Sequence, residues 1–548
     1  MNSFEDLITK YSFLSEGMYH INKAGVWACE MEDGEWKLKK TICKKPLLPT
    51  AILDNPDDSV QKVEISYWDM NRWKKLMFPR EVMTNRNKIT QLANSGIPVG
   101  TDNARELALF FNHSLGAYDE KIPRKTALNH LGWVDVETED GEEKVFAPYT
   151  NRVVFDDLND NGSLFKAVSK KGNRDEWISM MRELRKNIPM RLTMAASFAS
   201  PLIEIVGENP FILHLWGGTG SGKTVSILVA MSIWGNPKMG KLTRTMNMTV
   251  NSMLSTAAFL NSLPFAGDEL QTIKSKWGNY DDLIMCVTEG INRGRMRFDK
   301  ILPSFSWNCA FIFSGEEPCV KEDSGGGAVN RVVQIEASQQ IVKEGNKTAN
   351  FVRQNYGLVG EEYVGVLRNI QDMVKSSYEE TKNTLLECSN TTEKQAGAMA
   401  LLMTADYLAS RQFWDDEPIL TVDDVKQYLA DANTVDQTER AWNYVCSMIA
   451  QFGSNFDKDS REVWGRIEDG EVYIIKSVLT DRMAKAGYDF DACKRKWCDK
   501  GYIIKDRHGR IQHYVSINGK PAYCVRIMMP ILMNEHENMT DYNGQLPF

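Results

Sequence analysis

The chain has 548 residues, 43% hydrophobic and 25% charged, with a net charge of −8. That length suggests about three or four domains, and the composition excludes a mainly disordered, collagen-like or coiled-coil chain. The net acidity excludes a uniformly basic nucleic-acid binder, so any such contact must come from local basic clusters. No apolar run approaches the ~20 residues that a membrane helix needs. Residues 1–6 are acidic and lack the apolar core of a signal peptide, and the ten cysteines are scattered. Both features point to a cytoplasmic protein with reduced thiols.

Residues 1–158 read as a β-rich domain. Asp33-Gly34 stands between Val26-Trp27-Ala28-Cys29 and Trp36-Lys37-Leu38, and Asp140-Gly141 between Trp133-Val134-Asp135-Val136 and Val145-Phe146. Asp-Gly with such flanks predicts hairpins. Val63, Ile65 and Tyr67 alternate as in a half-buried strand, and a helical stretch near 102–114 interrupts the β pattern. This region shows no catalytic constellation and reads as an accessory domain or a ligand or DNA site. A polar linker over 156–175 leads to a helical pattern over 176–206 with a break at Pro189. The resulting division is a β-rich domain (1–158), a helical lead-in with an α/β domain (159–345), a helical region (346–452) and a winged-helix-like domain with a short tail (453–548).

The sharpest motif is Gly217-Gly218-Thr219-Gly220-Ser221-Gly222-Lys223-Thr224, which fits G-x-x-x-x-G-K-[ST]. It follows the buried-strand run Phe211-Ile212-Leu213-His214-Leu215-Trp216 and precedes a predicted helix over 225–234. Glycines at these places let backbone N–H groups close round phosphates at the positive end of a helix. The pattern predicts ATP bound by residues 217–224, with Lys223 reaching the β- and γ-phosphates and Thr224 holding Mg²⁺. Downstream, Leu263-Pro264-Phe265-Ala266-Gly267-Asp268-Glu269 is a short apolar run ending in two carboxylates. Asp268 is placed to bind Mg²⁺ and Glu269 to orient the attacking water, an adjacency found in AAA+ ATPases. Ser314 ends a third predicted strand tip and reads as a sensor of the γ-phosphate or as a turn residue. Arg331 follows Gly325-Gly326-Gly327 and reads either as an arginine finger for a neighbouring subunit, worth ~10³–10⁵ in rate, or as a surface or ion-paired arginine.

Two basic clusters follow. Arg293, Arg295, Arg297 and Lys300 surround one acid, Asp299, between a predicted helix (278–289) and the strand 307–313. The cluster reads as a pore hairpin gripping DNA phosphates, as a contact to a neighbour's nucleotide, or as a solvated charge run. Near the C-terminus, helical spacing at Ile475, Val478, Leu479 and Met483, a second helix over 490–500 and the turn Asp506-Arg507-His508-Gly509 predict a winged helix. Residues 493–510 hold seven basic side chains, Lys494, Arg495, Lys496, Lys500, Lys505, Arg507 and Arg510, against Asp499 and Asp506. DNA binding and protein contact both remain open for it. Cys493, Cys498, His508 and His513 have a loose zinc-like spacing, with core packing the favoured role for the cysteines. The terminal Leu546-Pro547-Phe548 is similar to tails that recruit replication proteins through a C-terminal Phe, here Phe548, or is an ordinary chain end.

Ala195-Ala196-Ser197-Phe198-Ala199-Ser200-Pro201-Leu202, the 217–224 loop, Met231-Ser232-Ile233-Trp234-Gly235, Gly267-Asp268-Glu269-Leu270 and Ser314-Gly315-Glu316 resemble the domain of unknown function 927 family. Gly132-Trp133 with Phe146-Ala147-Pro148 resembles its N-terminal part. The resemblance covers most of residues 15–350 and, more loosely, the C-terminal part. It implies a protein of phages, plasmids or integrated elements, similar to the MCM-like AAA+ hexameric helicases of staphylococcal cassette chromosomes. It implies roles for Lys223, Thr224, Asp268, Glu269 and Arg331. Gly267 departs from it, because an aliphatic residue usually precedes the Asp-Glu pair. The resulting expectation is an α/β chain with a central AAA+ P-loop NTPase domain, a β-rich N-terminal domain and a C-terminal helical plus winged-helix-like region. Its function would be an ATP- and Mg-dependent DNA helicase or translocase, with single-stranded DNA in the pore of a homo-oligomer, duplex at the winged helix as an option, and no membrane partner. The rivals are an ATP-switched initiator or helicase loader and a protein-remodelling ATPase.

Overall fold

The computed structural model describes residues 3–56, 58–138, 141–156, 162–273, 280–292, 296–297, 300–301, 305–321, 324–415, 417–468 and 470–528. The chain divides into two compact units. One comprises Met1–Cys319, Val333–Lys382 and Gly397–Val425; the other comprises Val320–Val332, Asn383–Ala396 and Lys426–Phe548. Among the described residues no helix is long and apolar enough to cross a membrane.

After the short helix Phe4–Lys10, the first unit has an antiparallel meander of β1 (Tyr19–Asn22), β2 (Gly25–Glu32) and β3 (Glu35–Cys43). Asp33 and Gly34 turn it with φ of 55° and 84°, the left-handed pair that a tight hairpin requires. A five-stranded sheet follows, ordered β10-β7-β4-β5-β6, from β4 (Leu47–Asn55), β5 (Asp58–Asp69), β6 (Arg72–Pro79), β7 (Arg124–Leu128) and β10 (Val153–Phe155). The Ala104–Ala117 helix buries Leu107, Phe110, Phe111 and Leu115 in one core with Val63, Ile65 and Tyr67 of β5. The alternation along β5 is real, but the strand is not half-buried: Glu64 and Ser66, facing the other way, are buried too. The hairpin of β8 (Gly132–Thr138) and β9 (Gly141–Ala147) docks on the next layer. There Trp133 Nε1 donates to the Pro201 carbonyl at 2.8 Å and the Leu131 N–H to that of Phe259 at 2.7 Å.

The helical stretch predicted over 176–206 is two helices, Arg174–Arg185 and Ile188–Val206. Pro189 sits in the first turn of the second, where its missing N–H leaves no helical bond unmade, and Asn187 caps it by accepting from the Met190 N–H at 3.1 Å. Arg185 and Arg191, both buried, converge on Asp406 at 3.0 and 2.6 Å and tie these helices to the long helix Glu393–Phe413. Removing one partner of such a buried set typically costs about 3–5 kcal/mol.

Beyond this lies a second five-stranded sheet, ordered β12-β13-β16-β11-β17, from β11 (Ile212–Trp216), β12 (Thr243–Thr245), β13 (Phe265–Asp268), β16 (Phe311–Gly315) and β17 (Val332–Glu336). Strands β12, β13, β16 and β11 pair in parallel. A buried parallel sheet reads as continuous apolar runs, which is why β11 and β16 are legible as strands without alternation. In chain order β11 comes first yet lies between β16 and β17, so the sheet has a topological switch point beside it. Between β13 and β16, Met296–Arg297 (β14) and Lys300–Ile301 (β15) form a short antiparallel hairpin.

In the second unit, the Gln437–Gln451 helix precedes β18 (Gly465–Glu468) and β19 (Glu471–Ile475), the helices Lys476–Lys485 and Phe490–Asp499, and β20 (Ile503–Ile504), β21 (Gln512–Ile517) and β22 (Lys520–Met528). The sheet order is β18-β19-β22-β20, with β21 on β22. Trp442, Trp464, Trp497, Ile474, Ile503, Val525 and Ile527 share its core. The two helices follow as the spacing predicts, but the strands pair differently: the turn at 506–509 does not close a hairpin, because β20 pairs with β22, and the hairpin is β21–β22, turned at Asn518 and Gly519 with φ of 51° and 74°.

Candidate functional site

Strand β11 delivers the chain to the 217–224 loop, and Gly222 hands it to the Lys223–Met231 helix. Gly217 and Gly222 hold φ of 140° and 95°, in the left-handed half of the map. A Cβ on Gly217 would lie 3.2 Å from the Ala337 carbonyl oxygen, and one on Gly222 3.0 Å from the Val342 N–H nitrogen. Those neighbours also pin the loop: the Ala337 N–H donates to the Trp216 carbonyl at 2.7 Å and the Ile341 N–H to the Ser221 carbonyl at 2.8 Å. The glycines at 217 and 222 are thus required by conformation and by close approach together.

Lys223 Nζ donates to the carbonyls of Gly217 (2.8 Å) and Gly218 (2.7 Å), arching over the loop. Partial burial lowers its pKa, opposed by the charges of Glu316 and Asp268. Thr224 Oγ1 donates to Asp268 Oδ1 at 3.1 Å, and Ser314 Oγ donates to the same oxygen. Asp268 and Ser314 end neighbouring parallel strands, and Asp268 is buried. The sequence-selected residues Lys223, Thr224, Asp268 and Ser314 are thereby brought to one edge of one sheet. A loop free of side chains at its two tightest points, an ammonium folded over that loop, and a hydroxyl in contact with a carboxylate make a donor set that fits a nucleotide phosphate and Mg²⁺.

Glu269 follows with φ of 63°, a left-handed conformation rare for a glutamate, and its carbonyl accepts from the Thr272 N–H (3.0 Å) and Oγ1 (2.8 Å). Its side chain is exposed. Such backbone strain costs about 1–3 kcal/mol and clusters at functional sites. Gly267, the departure from the family pattern, has a tertiary reason: a Cβ there would lie 2.3 Å from Met246 Sδ and 3.0 Å from Phe313.

Two residues escaped the sequence reading. Glu316 accepts from Thr219 Oγ1 at 3.4 Å and bears on the charge of Lys223. Its signal is its place in Ser314-Gly315-Glu316, where the sequence assigns a role to the serine alone. His214 lies in the middle of β11, wholly buried, and burial pushes its imidazole down to about 4. In the sequence it stands inside the apolar run 211–216, with no motif to mark it.

The remaining predicted residues are Arg331, the two basic clusters, the cysteine–histidine set and Phe548. Arg331 belongs to the second unit. The glycines before it are not a free loop: Gly326–Val329 is a helical turn, and a Cβ on Gly326 would lie 2.4 Å from the Val435 carbonyl oxygen. Gln395 Nε2 donates to the carbonyls of Val329 (2.6 Å) and Val332 (2.8 Å), and Arg331 Nη1 to that of Gly327 (2.7 Å). In the 292–300 cluster, Arg297 pairs with Lys300 across the β14–β15 hairpin, while Arg293 and Arg295 lie outside the described residues, as does Phe548.

In the second unit the basic cluster is partly neutralised from within. Lys496 pairs with Asp436, Lys500 with Glu439 at 2.8 Å and Lys494 with Asp491 at 2.5 Å. Arg495, Lys505, Arg507 and Arg510 are exposed and form no ion pair among the described residues. Cys493 packs in the core, where burial raises its thiol to about 11, and His513 Nε2 lies 2.8 Å from the Ile504 carbonyl oxygen.

Comparison with known proteins gives three findings. Residues 19–299 match the family described as "Domain of unknown function (DUF927)", and residues 436–531 match the "Cch helix turn helix domain". A solved structure described as "SCCmec type IV Cch - active helicase" superposes with a TM-score of 0.72 at 18% identity, over 94% of this chain and 98% of that one. No curated protein matches the sequence. The DUF927 match takes in more than half of the chain, so the chain belongs to the DUF927 family.

Proposed function

We propose that this chain is an ATP-driven DNA helicase or translocase of a phage, plasmid or other mobile element, replicative in role, and working as a AAA+ ring, hexameric as the family resemblance implies. The observation that carries the reading is the single hydrogen-bonded set of Thr224, Asp268 and Ser314 beside the 217–224 loop. It lies at the carboxyl ends of parallel strands next to a switch point, where open α/β sheets bind their ligands. The overall likeness to a structure described as an active helicase supports the same reading.

On this reading the N–H groups of residues 217–224 cradle the phosphates of ATP, and Lys223 leaves the loop carbonyls to meet the β- and γ-phosphates. Thr224 and Asp268 would hold Mg²⁺, which supplies electrostatic stabilisation of the phosphoryl oxygens. Glu269 takes the proton of the attacking water, a step worth ~10²–10⁴ in rate. Ser314 holds Asp268 in register and senses the γ-phosphate. Arg331, on a turn clamped by Gln395, completes the site of a neighbouring subunit. Arg293, Arg295, Arg297 and Lys300 draw one DNA strand through the pore, and Arg495, Arg507 and Arg510 hold DNA at the wing, helped by whichever of Lys494 and Lys496 exchange their carboxylates for phosphates. The four-part division at 158, 345 and 452 belongs to this proposal, as does a replication-protein contact at Phe548.

The test is ATP turnover with and without single-stranded DNA over a salt series. Stimulation by DNA that falls steeply with salt is expected. Turnover indifferent to DNA would remove the pore assignment and put protein remodelling ahead. Strand displacement that requires hydrolysis separates the motor from an initiator or loader.

A further inference from the structure

The five-stranded sheet of the N-terminal region has a second face on which a buried polar group lies beside a small apolar cluster of Ala51, Leu53 and Ala127. Val63, Ile65 and Tyr67 of β5 point into the core, so Glu64 and Ser66 point away from it. These two are nevertheless only 3% and 1% exposed, and Thr50 of β4 beside them 4%. A buried carboxylate is expensive unless it is paired and hydrogen-bonded. Here Glu64 Oε1 accepts from Thr50 Oγ1 at 2.9 Å and from Lys75 Nζ at 3.0 Å, with Lys125 Nζ at 3.4 Å. Thr50 Oγ1 is also 3.1 Å from Ser66 Oγ. Burial alone would raise the Glu64 carboxyl, but the two ammonium groups hold it below its usual range.

This cluster floors a cavity of about 810 Å³ that Trp73, Tyr11, Lys10 and Arg72 also line. The volume lies within the ~300–1,000 Å³ of small-ligand sites. Lys74 borders it as well but is paired with Asp69 at 2.5 Å. Four other cations, Lys10, Arg72, Lys75 and Lys125, therefore stand against the single carboxylate of Glu64, and the excess favours an anion. Trp73, already stacked on Phe4 with ring centroids 5.5 Å apart, supplies an aromatic wall.

We propose that this cavity binds a nucleotide unit, its phosphate against Lys75, Lys125 and the Lys10–Arg72 rim and its base against Trp73. A free nucleotide and one residue of a single strand present the same chemistry. The proposal stands on the N-terminal region alone and does not require that the 217–224 loop drive a motor.

The test uses the full chain carrying Lys223→Ala, so that the 217–224 loop does not compete. Radiolabelled dAMP is measured by equilibrium dialysis and fluorescein-labelled oligo-dT by anisotropy. Each is repeated with Lys10→Glu/Arg72→Glu and, separately, with Trp73→Ala. The rim pair is exposed, so an unchanged thermal midpoint is expected, with at least about tenfold weaker binding of the occupying probe. Loss of dAMP binding assigns a free nucleotide; loss confined to oligo-dT assigns a strand. If neither probe binds, or neither set of changes weakens binding beyond twofold, the proposal is overturned. Absence of DNA-stimulated turnover in the chain with Lys223 intact would sink the motor and leave the dAMP result standing.

Discussion

The edge of the α/β sheet and the second unit's helix–wing module both carry charged residues that the sequence singles out, but the fold treats them differently. At the sheet edge, Thr224, Asp268 and Ser314, separated by 44 and 46 residues, meet at one carboxylate oxygen. In the helix–wing module, three of the seven clustered cations are answered by carboxylates of the same unit, two of them from Asp436 and Glu439, distant in sequence. A motif bound to a strand end keeps its meaning in three dimensions because the sheet fixes where strand ends lie. A count of charges keeps its meaning only after internal pairing is subtracted.

The hardest blow to this contrast would come from catalysis. Glu269→Gln should retain ATP binding and lose turnover by ~10²–10⁴; near-normal turnover would remove Glu269 from its role. Arg331→Ala subunits, inactive alone, should regain part of their activity when mixed with Lys223→Ala subunits, because the two lesions would fall on different sides of an interface. No recovery at any ratio would argue against a residue acting in trans.

Stability sharpens the sheet-edge side. The folded His214 imidazole, near 4, lies below the ~6.5 of the unfolded chain. Its contribution is therefore fully present above about pH 6.5 and lost as pH falls toward 4, roughly 3 kcal/mol in all. Urea midpoints of wild type and His214→Gln across pH 4–7 should show a shallower fall for the variant; parallel curves would contradict it. Gly267→Ala should cost about 1–3 kcal/mol through the crowding of Met246 and Phe313, read as a lower thermal midpoint.

The smallest effect bears on the helix–wing side. Arg507→Ala should lower the slope of log binding constant against log salt by about one, whereas Lys496→Ala should leave it nearly unchanged, because Asp436 already answers that charge. Equal changes would show that Lys496 leaves Asp436 for DNA.

Much of the fold was legible because its signals are local: the Asp33-Gly34 turn, Pro189 in a first helical turn, glycines of the 217–224 loop and continuous apolar strands. What escaped depends on distant neighbours. Nothing near Gly267 announces Met246 beneath it, and nothing near Gly326 announces Val435. The alternation of Val63, Ile65 and Tyr67 told which way they face, but not that Glu64 and Ser66 would be covered as well. His214 and Glu316 were hidden by company, one inside an apolar run and the other behind a serine that drew the attention.

The β8–β9 hairpin sets a limit on how this protein can be taken apart or recombined. Trp133 is held by the Pro201 carbonyl, and a Cβ on Gly132 would lie 2.4 Å from Ser262 Oγ. A fragment starting at residue 159 would leave Pro201 and Phe259 without their partners and bare an apolar patch on the α/β layer. A chimera that exchanges N-terminal regions between relatives therefore finds no clean seam in the polar segment that looks like a linker, nor at the start of β7, which pairs with β4.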